Sequence, residues 1–111
     1  MARFVKGDVV VVPFPFSDLS QAKRRPALVL ANLSGNDVIL CQITSQSIRD
    51  NYSILLTDEE FSDGSLRKAS NIRPNRVFTA DSGIILYKVG SLKSETCNLV
   101  IEKLIDIIQT S

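Results

Sequence analysis

The stretch PALVLANLSGNDVILCQITS, residues 26–45, contains two apolar runs separated by a short polar segment. Both runs are rich in Val, Ile and Leu, and β-branched residues favour an extended backbone. The segment between them, Ser-Gly-Asn-Asp at 34–37, has the composition of a tight turn. The sequence therefore predicts two strands of similar length that pair as a β-hairpin.

Shorter apolar segments on both sides of this hairpin predict further strands. Gly7 and Asp8 precede four valines, and the strand that they begin should end or run along a sheet edge at Pro13 and Pro15, which lack an amide donor. The polar residues 15–25, PFSDLSQAKRR, predict a loop. Beyond the hairpin, a strand is predicted in 51–57, and residues 67–79 alternate loosely and contain Pro74. Residues 82–92 are predicted as a last short strand or as the continuation of 67–79. An acidic loop at 58–65 holds one helical turn over Asp58–Phe61.

The C-terminal residues change from a strand pattern to a helix pattern. Ser94 is a candidate N-cap, and Glu95 follows where the helix dipole favours an anion. Apolar residues then recur at helical spacing, at Cys97, Val100, Ile101, Leu104 and Ile108. Five or so short strands and a terminal helix predict a mainly β fold, a small and strongly bent antiparallel sheet or barrel.

Composition is that of one ordinary globular domain. The chain has 111 residues, of which 44% are hydrophobic and 23% charged, so we expect a single domain over 1–111. It lacks an apolar run of about 18 to 20 residues, and its start, MARFVKGD, lacks the apolar block of a secretory signal. We expect a cytoplasmic protein. Cys41 and Cys97 are expected to be small buried hydrophobes, with no disulfide and no metal cage.

Several catalytic chemistries are excluded by missing residues. The chain has no histidine, which removes the commonest general acid and base and any Ser-His or Cys-His triad. Phosphate-binding patterns of the GxxxxGK[ST] and GxGxxG kinds are also missing. Arginine and hydroxyl groups remain, and they suit a reaction on RNA, which carries its own 2′-hydroxyl nucleophile and needs no metal or other cofactor.

Positive charge is concentrated in two stretches although the net charge is only +1. Residues 1–30 hold five Lys and Arg against two Asp, and residues 65–78 hold four Lys and Arg against no acid. If the fold brings these stretches together, they would form one phosphate-attracting face of the kind that binds RNA or DNA. Otherwise they are simply solvated charges.

Two segments, KGDVVVVPFPFSDLSQAKRRPALVLAN at 6–32 and VILCQITSQ at 38–46, resemble the MazF/PemK family of toxin endoribonucleases. The resemblance implies an SH3-like barrel with a C-terminal helix, usually assembled as a homodimer. It also implies metal-independent, sequence-specific cleavage of single-stranded RNA to a 2′,3′-cyclic phosphate and a 5′-hydroxyl, and a cognate antitoxin as protein partner.

The resemblance implies a catalytic pair and a set of assisting residues. Arg25 matches the arginine of the family's Arg-Pro motif, and Thr44 matches the threonine after the third strand's apolar run. Many members carry Gln-Ile-Arg-Thr-Ile-Asp on a later strand, where this chain reads Arg-Val-Phe-Thr-Ala-Asp at 76–81. Asp81 matches the aspartate of that pattern. Phe78 stands in place of the family's arginine, and Arg76 is a candidate to supply the positive charge that is missing there. Lys23 and Arg24, as loop charges, with Ser45, Gln46, Arg73 and Phe78 are candidate RNA-binding residues.

Other interpretations of the same residues stay open. Arg25 can be a strand-edge cation whose stem covers apolar surface, residues 44–46 can be a polar strand end, and Phe78 can belong to the core. At the level of function, CcdB-like gyrase inhibitors share the expected fold and act by binding protein. A nuclease-inactive RNA-binding module is a third alternative.

Overall fold

The predicted hairpin over residues 26–45 is present, with strand β2 at Lys23–Asn32 and strand β3 at Asp37–Thr44. The computed structural model describes residues 4–14 and 23–110, and of Phe14 its backbone only. Most of the predicted loop at 15–25 therefore lies outside the described residues. Within the hairpin, Ala27 faces Gln42 and Leu28 faces Cys41. Gly35 in the turn has a φ of +74°, a conformation that glycine adopts without steric cost.

The hairpin is the middle of one antiparallel sheet, whose strand order is β4-β6-β3-β2-β1-β7-β5. A C-terminal helix follows the last strand, so the prediction of a mainly β fold with a terminal helix is confirmed. Two short 3₁₀ turns interrupt the strands. The remaining elements are β1 Asp8–Phe14, β4 Ile54–Leu56, a 3₁₀ turn Asp58–Glu60, β5 Phe61–Gly64, β6 Ser70–Asp81, a 3₁₀ turn Ser82–Ile84, β7 Tyr87–Leu92 and helix α1 Ser94–Thr110.

Two segments that were predicted as loops are strands. Residues 23–25 begin β2 because β1 pairs with them, Pro13 facing Arg24 and Phe14 facing Lys23. Residues 61–64 form β5, in which Phe61 faces Leu92 of β7. Both pairings are formed by backbone hydrogen bonds between strands, and such bonds leave no apolar pattern to detect. The described chain therefore holds seven strands rather than five or so.

Both faces of the sheet are covered by apolar side chains. One cluster contains Leu28, Cys41 and Val100, and a second, on the opposite face of the hairpin, contains Ala27, Val29 and Leu40. This explains why β3 is buried almost continuously instead of alternating. Leu56 from edge strand β4 and Phe61 from edge strand β5 both belong to the first cluster, so the sheet curls around it.

Helix α1 packs on the first cluster through the front half of its apolar face. Cys97 and Val100 are buried and Ile101 and Leu104 are partly buried, as the spacing predicts. Ile108, predicted on the same face, is 70% exposed because it lies beyond the part of the helix that contacts the sheet. The prediction of Ser94 as N-cap is wrong by one residue, since the carbonyl of Lys93 accepts the amides of Thr96 and Cys97.

Strand β1 tolerates its proline because its pairing partner on one side has already ended. Strand β7 pairs with β1 only as far as Val11, so Pro13 lies on a locally unpaired side of the strand. In the part of the chain that the structure describes, no helix combines the length and the apolar character that crossing a membrane requires.

Candidate functional site: a basic groove at the end of the hairpin

Arg25 and Thr44, the predicted catalytic pair, line the same groove at the open end of the hairpin. Their proximity follows from the register of the hairpin. Since Ala27 faces Gln42, the same register continued two residues further brings Arg25 level with Thr44. The β-ladder to β1 also holds Arg25, which faces Val12, so that a rigid strand positions the half-buried side chain.

The hydroxyl of Thr44 has a fixed orientation. Thr44 is only 4% exposed, and its Oγ1 accepts a hydrogen bond from the amide of Gln46 at 3.2 Å. A hydroxyl that accepts in this way keeps its own O–H as a donor. Thr44 is therefore prepared to donate a hydrogen bond to an anionic oxygen in the groove.

The opposite wall of the groove is the connection between β5 and β6. Leu66, Arg67, Lys68 and Ser70 line this side. Ser70 is buried, and its Oγ donates a hydrogen bond to the carbonyl of Lys68 at 3.1 Å. The groove lies between this wall and the hairpin end, and its volume is about 300 Å³.

The two basic stretches of the sequence meet in this groove. Arg24 and Arg25 come from the first stretch, and Arg67 and Lys68 come from the second. The described residues that line the groove include no Asp or Glu. A concave surface with one sign of charge attracts anions, and the guanidinium group in particular matches phosphate oxygens.

The segment that follows Thr44 is fixed to β6 at two points. Gln46 accepts a hydrogen bond through its carbonyl from the Asn71 side chain at 3.1 Å, and Asp50 forms an ion pair with Arg73 at 3.3 Å. Hydrogen bonds from the Tyr52 amide, the Ser53 amide and Arg73 lower the pKa of Asp50 despite some desolvation. These contacts fix residues 45–53 and, with them, the amide that orients Thr44.

The structure gathers some of the predicted site residues in the groove and leaves others outside it. Arg24 and Ser45 line it. Gln46 does not line it, but the Gln46 amide donates a hydrogen bond to the side chain of Thr44, which does. Lys23 is exposed at the start of β2, so Lys23 and Arg24 are strand residues and not the loop charges that were predicted. Arg73, Arg76, Phe78 and Asp81 are not among the lining residues.

Each of the four outlying residues has another environment. Arg73 is paired with Asp50, Arg76 is exposed, and Phe78 packs against the second apolar cluster. Asp81 accepts a hydrogen bond from the Gly83 amide at 2.7 Å. It faces Asp37, at the other end of β3 from Thr44, roughly 23 Å along the strand at about 3.3 Å per residue.

Six lining residues were not predicted as site residues: Pro26, Ile43, Leu66, Arg67, Lys68 and Ser70. Arg67 and Lys68 belong to the basic stretch that the sequence displays, which was the available signal. What the sequence does not display is that β5 pairs with β7, which sets where the segment between β5 and β6 begins.

Neither cysteine has the properties of a nucleophile. Cys41 is fully buried, its Sγ donates a hydrogen bond to the Arg73 carbonyl at 3.0 Å, and burial raises its pKa to about 12. Burial also raises the pKa of Cys97. Both thiols are therefore protonated and act as apolar side chains, as predicted. Residues 4–14 and 23–110 contain no group of three His, Cys, Asp or Glu that could hold a metal ion.

Comparison with protein families identifies the chain. Residues 5–108 match the family described as the PemK-like, MazF-like toxin of type II toxin–antitoxin systems. The chain belongs to this family, which confirms the resemblance noted in the sequence. A search of curated protein sequences finds no matching relative.

Solved structures described as MazF or as an endoribonuclease share the fold. MazF from Deinococcus radiodurans superposes with a TM-score of 0.77 at 18% identity, over 97% of this chain and 98% of that one. An endoribonuclease in complex with its cognate antitoxin, from a mycobacterial species, superposes with a TM-score of 0.76 at 13% identity, over 98% of both chains. The D. radiodurans MazE–MazF complex gives 0.74 at 16% identity over the full length of both chains.

Proposed function

We propose that the protein is an endoribonuclease that cleaves single-stranded RNA in the basic groove and acts as the toxin of a toxin–antitoxin pair. The observation that carries the proposal is the presence of Arg25 and Thr44 side by side in a groove lined by four cationic residues. Family membership and the description of similar structures as endoribonucleases support it.

In the proposed reaction the substrate supplies the nucleophile. The 2′-oxygen forms a bond to phosphorus, the bond from phosphorus to the 5′-oxygen breaks, and the products are a 2′,3′-cyclic phosphate and a 5′-hydroxyl. The 2′-hydroxyl proton passes to solvent, and the departing oxygen takes a proton from Arg25, which solvent re-protonates, or from solvent directly. Arg25 also stabilises the charge that builds on the phosphoryl oxygens.

Thr44 complements Arg25 at the same phosphate. Its hydroxyl donates to a non-bridging oxygen, while the Gln46 amide keeps that hydroxyl in place. A donor that is already oriented needs no reorganisation as the transition state forms. The reaction needs no metal ion in this scheme because positioning and charge stabilisation come from protein groups.

Two partners belong to the proposal. An antitoxin with an extended acidic segment would neutralise the groove by occupying it, since the lining residues present cations and hydrogen-bond donors. A homodimer is the second, by analogy with the family. Similar structures are described as endoribonucleases or as MazF, so we propose RNA as the nucleic-acid ligand.

The test is incubation of the purified protein with a long single-stranded RNA in excess chelator. Discrete fragments that end in cyclic phosphate are expected, at recurring sequence positions. Arg25→Ala is expected to lower the rate by about 10²–10³-fold, the usual effect of removing a donor that stabilises a transition-state anion. Lys6→Gln, which removes an exposed charge outside the groove, is the matched control and should cleave at the wild-type rate.

Two other results would contradict the proposal. Intact RNA together with inhibition of DNA supercoiling by gyrase would favour the CcdB-like alternative. RNA that binds tightly, is not cut, and binds more weakly to Arg25→Ala would favour a binding module without nuclease activity.

A further inference from the structure

We propose that Arg67 and Lys68 form a second phosphate-binding subsite, which holds the RNA backbone next to the scissile linkage. The inference rests on the proposed function, in which the groove takes RNA. It assigns a distinct task to the wall opposite Arg25 and Thr44. The subsite binds a neighbouring phosphate of the same strand and takes no part in bond cleavage.

The segment that carries both residues is held at its two ends. Gly64 begins it with a φ of +74°, and its backbone lies so close to β7 that a Cβ there would collide with the Val89 carbonyl oxygen. At the other end, buried Ser70 holds the Lys68 carbonyl. Leu66 packs against the first apolar cluster, which leaves the next two residues exposed. Arg67 and Lys68 are thus presented to the groove by a fixed segment.

The charge of the groove exceeds what one phosphodiester requires. Four cationic side chains line it, whereas a single linkage carries one negative charge. A strand of RNA brings one phosphate per nucleotide, so a polyanion matches this lining better than an isolated phosphate does. Pro26 and Leu66, which are partly buried, add apolar surface to the groove, and such surface suits the face of a base.

The two walls differ in how firmly they hold their cations. Arg25 is half-buried in a strand that is paired to β1, which suits the precise placement that chemistry requires. Arg67 and Lys68 are exposed and lie on a connection between strands. Exposed cations of this kind hold a phosphate through charge, and their effect weakens as salt rises. We therefore assign them to binding, and Arg25 and Thr44 to the reacting phosphate.

The first experiment measures binding of a short, fully 2′-O-methylated single-stranded oligonucleotide, which cannot be cleaved, at several salt concentrations. Arg67→Gln and Lys68→Gln are each expected to reduce the slope of log K against log salt by about 0.7, the value for one phosphate contact on a single strand. Arg67→Lys, which keeps the charge, should restore the wild-type slope. Lys6→Gln is the control outside the groove and should leave the slope unchanged. Thermal unfolding of each variant shows whether it is folded.

The second experiment uses a 2′-O-methylated dinucleoside monophosphate, which cannot be cleaved and has one phosphate only, with binding followed by NMR chemical shifts. Arg67→Gln and Lys68→Gln should bind it as the wild type does, because the neighbouring phosphate is missing. Equal weakening for this ligand and for the oligonucleotide would place both residues at the scissile phosphate and overturn the inference. A wild-type salt slope in both variants would overturn it as well.

The outcome of the cleavage test is separate from these results. If the variants show a reduced slope of log K against log salt but the wild type does not cut RNA, the subsite is supported and the proposed nuclease activity is contradicted. If the wild type cuts RNA and the variants keep the full slope, the nuclease stands and the subsite fails.

Discussion

At the scale of single residues, the groove depends on an arginine whose geometry matters as much as its charge. The planar fork of a guanidinium can contact two phosphate oxygens at once, and an ammonium group acts as a point charge. Arg25 occupies a paired strand position that faces Val12, so its fork approaches the groove from a fixed backbone.

Arg25→Lys therefore tests geometry while keeping the charge. The turnover number for RNA cleavage is expected to fall by at least about tenfold, since one of two transition-state contacts is lost. Arg24→Lys, the same change at the exposed neighbour, should leave the turnover number close to the wild-type value. A wild-type turnover number in Arg25→Lys would mean that Arg25 acts only through its charge, and equal losses in the two variants would mean that the guanidinium of Arg25 has no special role.

A buried carboxylate stabilises the beginning of β1. Asp8 is 2% exposed, and it accepts hydrogen bonds from the Val5 amide at 2.9 Å and from the Ser91 hydroxyl at 3.1 Å. Lys88 completes the set with an ion pair at 3.3 Å. Asp8 thus joins β1 to β7 as well as initiating the strand.

Asp8→Ala is expected to lower the free energy of unfolding by about 1–3 kcal/mol, because the Val5 amide, the Ser91 hydroxyl and Lys88 lose a buried acceptor. Denaturation by urea measures the change. Asp37→Ala removes an exposed aspartate at the start of β3 and should change the free energy by no more than about 0.5 kcal/mol. If the two variants were equally stable, the contacts of Asp8 would contribute nothing net to stability.

At the scale of elements, the short strand β5 determines the position of the β5–β6 connection, which forms one wall of the groove. Its last residue, Gly64, combines a positive φ with close contact to the backbone of β7. Gly35 has the same φ of +74°, but a Cβ there would meet no atom of the described chain within 4 Å beyond its immediate neighbours. Alanine substitutions at the two glycines therefore distinguish the cost of backbone strain alone from the cost of strain together with a steric clash.

Gly35→Ala should lower the free energy of unfolding by about 1–2 kcal/mol, the cost of a left-handed conformation for a residue with a Cβ. Gly64→Ala should cost more, because the added carbon would also collide with the Val89 carbonyl. It should in addition raise the KM for RNA by displacing the segment that carries Arg67 and Lys68. Equal destabilisation by the two substitutions would show that β5 moves aside without difficulty.

The segment after β3 gives the protein a pH-dependent contribution to stability. The folded pKa of Asp50 is lowered, chiefly by the Tyr52 amide and further by Ser53 and Arg73. A lowered folded pKa means that the contribution is present in full above the unfolded pKa, about 3.9, and is lost as pH falls through the folded value.

Asp50→Asn removes this contribution. The difference in urea midpoint between the wild type and Asp50→Asn is expected to be constant from neutral pH down to about pH 5 and to shrink below about pH 4. Asp106→Asn, the same substitution at an exposed position of α1, is the control for the loss of a surface carboxylate. A difference that persists undiminished in acid would mean that the carboxylate charge is not what fixes residues 45–53.

At the scale of the whole molecule, the sheet curls until its two edge strands share one apolar cluster, and helix α1 packs on the same cluster. The hairpin and the helix were predictable because their patterns are local: two apolar runs around a turn, and apolar residues at helical spacing. Strand β5 and the first residues of β2 were not predictable, since backbone pairing with a neighbouring strand forms them and no apolar pattern marks them.

The candidate site likewise has one part that local sequence patterns predict and one part that they do not. Arg25 and Thr44 stand at the start of one hairpin strand and at the end of the next, and antiparallel pairing brings such positions to the same end. Their meeting was therefore implicit in the hairpin. The contribution of Arg67 and Lys68 depends on how β5, β6 and β7 are arranged, which no short sequence pattern reports.

The central claim is that Arg25 and Thr44 act together on one phosphate. The most direct measurement is the rate of single-stranded RNA cleavage in excess chelator for the wild type, Arg25→Ala, Thr44→Val and the double variant. Residues that act as a unit give strongly non-additive losses. We predict that the double variant is scarcely slower than Arg25→Ala alone; losses that multiply, or wild-type cleavage by either single variant, would contradict the account.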